Sequence, residues 1–210
     1  MKRTMTVNLK NIKFISSDIF EQIIKNRRKL LLTVLSVFGL WCGTRIYITE
    51  SEIISEYFSF YTEIIKNQQI SKAYIILLII NILPFLITFK NGLFALGSAV
   101  IMFCPCLSGI LTGVINAWSY NNFRINGVFF SLLAIIPFAV IINIIIITSS
   151  DKSIIVSKTI TELLFSDKSG NRGEVKEFFI RQLIIFAFIV AITALQIIVV
   201  KLLLNKLLLI

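Results

Sequence analysis

The sequence predicts an all-α fold, a polytopic integral membrane protein with about five transmembrane helices and interfacial amphipathic helices. Of its 210 residues, 57% are hydrophobic and only 15% are charged, and the mean hydropathy is +0.89. A soluble domain carries about 25% charged residues. Long apolar runs separated by short polar stretches complete the pattern. We therefore expect a basic, amphipathic cytoplasmic segment over residues 1–29 and a single helical membrane domain over residues 30–210.

The N-terminal segment is polar, with eight lysines and arginines against two acidic residues. Apolar residues fall within it at spacings of three to five: Ile15, Ile19, Phe20, Ile23 and Ile24. This spacing favours a short amphipathic helix lying on the inner membrane surface. A partly ordered tail with a helical start is the alternative.

The first span is predicted at residues 30–48. The basic cluster of residues 27–29 precedes it directly and places the N-terminus in the cytoplasm. Gly39 and Gly43 form a small-residue face where another helix can approach closely. The loop that follows, residues 49–72, has an acidic excess and an apolar face rich in aromatics, which predicts an interfacial helix on the outer leaflet or a docking surface for an extracytoplasmic partner.

The second predicted span, residues 73–89, is short for a crossing, so re-entry without crossing is the alternative. A central hairpin follows, with spans at residues 92–116 and 127–148. Arg124 is the only charged residue between positions 91 and 150 and marks the turn.

Small and helix-breaking residues mark this hairpin. Each of its spans carries a proline, Pro105 or Pro137, which removes a backbone hydrogen bond. The first span also carries the pair Gly109 and Gly113, and Gly127 opens the second. We assign these residues to a helix-packing or partner interface.

Residues 149–176 are predicted as a mixed-charge cytoplasmic loop with a flexible tip at residues 167–171 and a further surface helix. The last span covers residues 178–200. Five spans with the N-terminus inside and the C-terminus outside leave about fifteen basic residues in the cytoplasm and about six outside, as the positive-inside rule requires.

The residue types argue against catalysis. The chain has no histidine, and the predicted spans contain no Asp or Glu, so their serines have no base to activate them. The pair Cys104 and Cys106 flanking Pro105 is a weak metal signal without further ligands. We expect no catalytic residues, no cofactor and no metal. The net charge of +10 lies largely beside the first span, which favours membrane lipid over nucleic acid as the partner.

A longer pattern resembles the stage II sporulation protein M family. It comprises residues 108–113 (Ser-Gly-Ile-Leu-Thr-Gly), a short polar turn, Gly127, and residues 132–137 (Leu-Leu-Ala-Ile-Ile-Pro). The layout is similar over most of the chain, and the motif covers residues 92–148. The chain departs from that pattern at Phe138 and Ile142, where polar residues are expected, so no polar intramembrane site is carried over.

The resemblance implies a non-enzymatic membrane scaffold of the sporulation engulfment machinery. Such a scaffold localises and holds peptidoglycan hydrolases, the stage II sporulation proteins D and P, at the septal membrane. We hypothesise that partner spans pack on the faces formed by Gly39 with Gly43 and by Gly109 with Gly113. The alternatives are a permease component paired with an ATPase through residues 151–176, and a small immunity-type protein.

Overall fold

The computed structural model describes residues 26–67, 69–165 and 172–207, and within these ranges every regular element is helical. Six α-helices and one π-helical turn follow in order. They are α1 (Arg27–Thr49), α2 (Ser51–Lys66), α3 (Ile70–Gly92), α4 (Ser98–Phe130), the π-helical turn (Ser131–Ile135), α5 (Ile136–Phe165) and α6 (Arg172–Leu207). The predicted amphipathic helix at residues 15–24 and the loop tip at residues 167–171 lie outside the described residues.

Four helical segments are long and apolar enough to cross a membrane. They are Arg27–Thr49, Ile70–Gly92, Ser98–Glu162 and Lys176–Leu204. Helices are the form expected of such runs, because backbone groups in lipid must find their hydrogen bonds within the segment. The prediction of an all-α polytopic membrane protein is confirmed.

The second predicted span is longer than the sequence indicated. Helix α3 has 23 residues and continues through Pro84. At 1.5 Å per residue it is about 35 Å long, which suffices for a full crossing. The hydroxyl of Thr88 bonds to the carbonyl of Pro84 at 2.8 Å.

The third segment folds back on itself at Arg124. This residue has φ 51° and ψ −123° inside an otherwise helical run. The hydroxyl of Ser119 donates to the carbonyl of Gly127 at 3.1 Å, whereas residues eight apart on a straight helix lie about 12 Å apart. Ser131 likewise donates to the side-chain oxygen of Asn116. The four segments therefore make five passes, with an outgoing arm (residues 98–123) and a return arm (residues 125–165).

Neither proline of the hairpin interrupts it. The outgoing arm stays helical through Pro105. The π-helical turn Ser131–Ile135 directly precedes the turn of helix that contains Pro137. Proline lacks an N–H and its ring clashes with the carbonyl four residues before it, here Leu133, so the wider π-turn accommodates Pro137.

Residues 149–176 were predicted as a loop, and this is wrong for residues 149–165, because helix α5 continues to Phe165. The further helix predicted there is present, but as the continuation of α5 and not as a separate surface helix. Ile154, Val156 and Ser157 are buried on this extension. The Ser157 hydroxyl donates to the carbonyl of Phe94, in the link between α3 and α4, at 2.7 Å. Packing on that link stabilises the extension of α5, although the mixed charges of this stretch had predicted a loop.

The five passes alternate in direction, and each end of the bundle has its own contacts. At one end, the start of α1 meets α5, and the end of α3 meets both α5 and α6. At the other end, α2 covers the end of α1 and of the outgoing arm. We call these the α3–α4 link end and the α2 end. Helix α1 and the outgoing arm run parallel, since Ser36 lies against Gly109 and Leu40 against Gly113.

Candidate functional site

The closest helix contact joins α1 to the outgoing arm through four glycines. A Cβ atom added at Gly39 or Gly43 would lie 2.1 Å from the carbonyl oxygen of Cys106 or Ile110. At Gly109 and Gly113 it would lie 2.1 and 2.2 Å from the carbonyl oxygens of Ser36 and Leu40. No side chain fits at these distances, so the two backbones touch directly, as small-residue motifs in lipid permit.

The two glycine pairs are therefore each other's partners. All four residues are buried inside this chain. The hypothesis that spans of other proteins pack on these faces is corrected, because α1 and α4 already cover them. The sequence identified the right residues for helix packing but could not show that the two faces meet each other.

The other three predicted interface residues have different surroundings. Gly127 lies against the Ser119 carbonyl across the reversal, where a Cβ atom would be 2.1 Å from that oxygen. Pro105 is buried and Pro137 is exposed. Of the seven predicted residues, only Pro137 is thus on the outer surface of the bundle.

The cysteines are not joined by disulfide bonds. Cys42, Cys104 and Cys106 are free thiols. Cys104 packs with Ile142 and Ile146 of the return arm. Within the described ranges, no three His, Cys, Asp or Glu side chains come together in a way that could hold a metal ion.

The polar side chains inside the bundle pair across helices. Ser36 donates to Asn143 at 2.9 Å. Asn81 donates to Thr193 at 3.2 Å and to Gln196 at 3.0 Å. These bonds join α1 to α5 and α3 to α6. The space beside Asn81 and Gln196 has a volume of only about 20 Å³.

An ion pair at the α3–α4 link end was not predicted. Arg28 of α1 places its Nε atom 3.4 Å from Oδ1 of Asp151 on α5. The Asp151 side chain is 9% exposed and that of Arg28 45%. Asp151 follows the apolar run of the return arm, so the sequence suggested a loop acid and gave no reason to pair it with Arg28.

Helix α2 forms a platform at the other end of the bundle. The ring of Phe58 stacks on Trp118 with centroids 4.9 Å apart. The Tyr47 hydroxyl lies 3.1 Å from the Ser55 hydroxyl and accepts a hydrogen bond from Asn121 at 3.0 Å. These contacts fix α2 to α1 and to the outgoing arm.

Among the residues that the structure describes, no element covers the remaining part of the apolar face of α2. Ile53, Tyr57 and Phe60 are exposed and follow one another at helical spacing. We call these three residues the α2 strip. Glu52, Glu56 and Glu63 are exposed on the polar face of the same helix. A helix is thus present where one was predicted, and its two predicted uses, lying on the outer leaflet or docking an extracytoplasmic partner, stay predictions.

Comparison with known proteins gives no relative: no protein-family model, no curated protein and no solved structure matches this chain. The resemblance to the stage II sporulation protein M family therefore stays a prediction.

Proposed function

We propose that this protein is a non-enzymatic membrane scaffold of the sporulation engulfment machinery. In this proposal it localises and holds peptidoglycan hydrolases, the stage II sporulation proteins D and P, at the septal membrane. The observation that supports a scaffold best is that the spaces between the helices beside Asn81 and Trp118 are small, combined with an uncovered apolar strip on a firmly anchored helix at one end.

The interior volumes favour a scaffold over the permease alternative. The spaces between the helices beside Asn81 and beside Trp118 measure about 20 and 30 Å³. A space of about 10–15 Å³ holds one water molecule, whereas sites for small molecules usually measure about 300–1,000 Å³, so these two spaces have room for a water molecule but not for a small-molecule substrate. The polar groups that could line a path are already bonded to one another. A transport route would have to break these contacts.

We assign partner binding to the α2 strip because the glycine faces are closed. The stack of Phe58 on Trp118 makes α2 a rigid support. Tyr57 and Phe60 project from it as exposed aromatics, the residue type enriched at the centres of protein interfaces. A membrane-anchored hydrolase would meet this strip with the segment that joins its anchor to its catalytic domain.

The charges support placing the α2 end outside the cell. The opposite end carries the basic cluster of residues 27–29 together with Lys90, Lys176 and Arg181. Basic residues flanking spans are retained in the cytoplasm. The strip would then lie on the side where peptidoglycan is found.

The test is co-purification from sporulating cells with the full chain tagged at its C-terminus. We expect Tyr57→Ala with Phe60→Ala to remove the hydrolases while the protein remains in the membrane at wild-type level. The matched control is Phe38→Ala with Trp41→Ala, which removes two exposed aromatics from α1. Hydrolase recovery that is equal for both variants, or recovery of an ATPase instead, would refute the proposal.

A further inference from the structure

A groove open to the outside of the bundle lies between α3 and α6, near the α3–α4 link end. Its volume is about 210 Å³. Six apolar residues line it: Phe85, Leu86, Phe89, Phe179, Leu183 and Phe186. We call it the aromatic groove.

Ring contacts hold the walls of the groove in place. Phe85 lies 6.4 Å from Phe89 and 6.5 Å from Phe186 between ring centroids. Phe89 meets Phe179 edge-on at 5.6 Å. Leu183 stands at the rim with 71% of its surface exposed. The groove is thus a preformed apolar surface that opens toward the lipid.

The one polar residue that lines the groove already has hydrogen-bond partners inside the bundle. Gln182 is buried and accepts a hydrogen bond from Ser149 at 2.8 Å. Its amide donates to Ser153 at 3.3 Å. Because these bonds point into the bundle, an occupant of the groove needs only an apolar body.

Two exposed lysines lie close in sequence to groove-lining residues, one on each of the two helices that form the groove. Lys90 follows Phe89 at the end of α3, and Lys176 lies one turn before Phe179 and Ile180 on α6. Both are exposed. Lys90 is the only charged residue between Lys72 and Arg124, so it is the first charge that the chain presents on leaving the apolar run of α3.

The neighbouring acid belongs to a different cavity. Glu177 lines a space of about 240 Å³ between α5 and α6, together with Lys152 and Arg181. That cavity lies on the other flank of α6 from the aromatic groove. At the mouth of the groove, the described side chains therefore present positive charge above an apolar floor.

We propose that the aromatic groove binds one acyl chain of an anionic phospholipid, whose headgroup phosphate is held by Lys90 and Lys176. Basic residues at the ends of spans attract anionic headgroups, and apolar grooves below them receive the chains. The positive charge above the apolar floor favours an anionic lipid over an apolar partner helix as the occupant. The inference is independent of the proposed scaffold function.

The experiment measures lipid retention by native mass spectrometry of the full chain purified in detergent. Phosphatidylglycerol and phosphatidylcholine with identical acyl chains are added in separate samples. We expect the wild-type chain to retain phosphatidylglycerol preferentially. Lys90→Gln and Lys176→Gln should each weaken that binding by about five-fold, and the double variant should bring it down to the phosphatidylcholine level. The matched control, Lys201→Gln at the other end of α6, should leave it unchanged.

A second pair of variants tests the apolar part of the site. Leu183→Trp fills the groove and should reduce retention of both lipids, whereas Leu195→Trp, at an exposed position of the same helix outside the groove, should not. Helix content from circular dichroism establishes that each variant is folded. Wild-type retention by the double lysine variant or by Leu183→Trp would overturn the proposal, and so would a protein that co-purifies in the groove in place of lipid.

Discussion

Four glycines bring α1 and the outgoing arm into backbone contact, and their energetic role can be measured one residue at a time. A methyl group at Gly43 would lie 2.1 Å from the Ile110 carbonyl oxygen, which cannot move without its helix. The two helices must then separate, and they lose the dispersion contacts that hold them together where no hydrophobic effect operates.

We therefore expect Gly43→Ala and Gly109→Ala each to lower the free energy of unfolding by about 1–3 kcal/mol, the usual cost of overpacking. Thermal unfolding in detergent measures this loss. Val37→Leu, which enlarges an exposed side chain on the same helix, is the control and should change little. Stability equal to wild type in both alanine variants would show that the α1–α4 contact is not tight.

Arg28 and Asp151 provide a second test at the residue scale. Because the Asp151 carboxylate is almost fully buried, Arg28→Gln leaves a buried charge without its partner. We expect a loss of about 1–3 kcal/mol, limited by the partial exposure of Arg28. The double variant with Asp151→Asn should recover part of it, and a double-mutant cycle measures the coupling. Strictly additive losses would argue against the pair.

The sequence indicated which residues take part in helix packing, but not which residues they contact. Gly39, Gly43, Gly109 and Gly113 could be recognised as packing residues, because small side chains four apart form a flat face on a helix. That these faces meet each other depends on the parallel course of α1 and the outgoing arm, which local spacing does not contain. The burial of Asp151 likewise depends on a helix extension that its composition did not indicate.

At the scale of elements, the reversal at Arg124 decides how the central segment crosses. A positive φ at a residue with a Cβ atom costs about 1–3 kcal/mol, and glycine avoids this cost. Hydrogen bonds between the antiparallel arms, from Ser119 to Gly127 and from Ser131 to Asn116, offset this free-energy cost.

We expect Arg124→Gly to raise the free energy of unfolding by about 1 kcal/mol relative to Arg124→Ala, since both variants remove the same charge and only glycine relieves the backbone. Thermal unfolding in detergent compares the two variants directly. Equal stability would contradict a strained turn at this position.

Most helices could be predicted because each membrane crossing requires a helix of about 20 predominantly apolar residues. The five predicted spans each fall on a helix or helical arm. Their ends were less predictable: α3 is longer than its apolar run, and α5 extends to Phe165 because the extension packs on the α3–α4 link. The turn at Arg124 was predicted from its charge, but its tightness follows from the contact at Gly127.

At the scale of the whole molecule, four apolar segments make five passes that pack against one another and leave the α2 strip at one end. The proposed scaffold function needs this topology, since it requires the strip and the turn at Arg124 to lie on the same side of the membrane. The link between α3 and α4 and the extension of α5 must lie on the opposite side.

Cysteine accessibility in intact cells tests this claim most directly. On a background with Cys42, Cys104 and Cys106 replaced by alanine, single cysteines at Ser59, Asn122, Leu96 and Lys158 are treated with a membrane-impermeant thiol reagent. We predict labelling at Ser59 and Asn122 before lysis, and at Leu96 and Lys158 only after the membrane is opened. Labelling of Asn122 on the same side as Leu96, or of Lys158 on the same side as Ser59, would contradict the five-pass bundle.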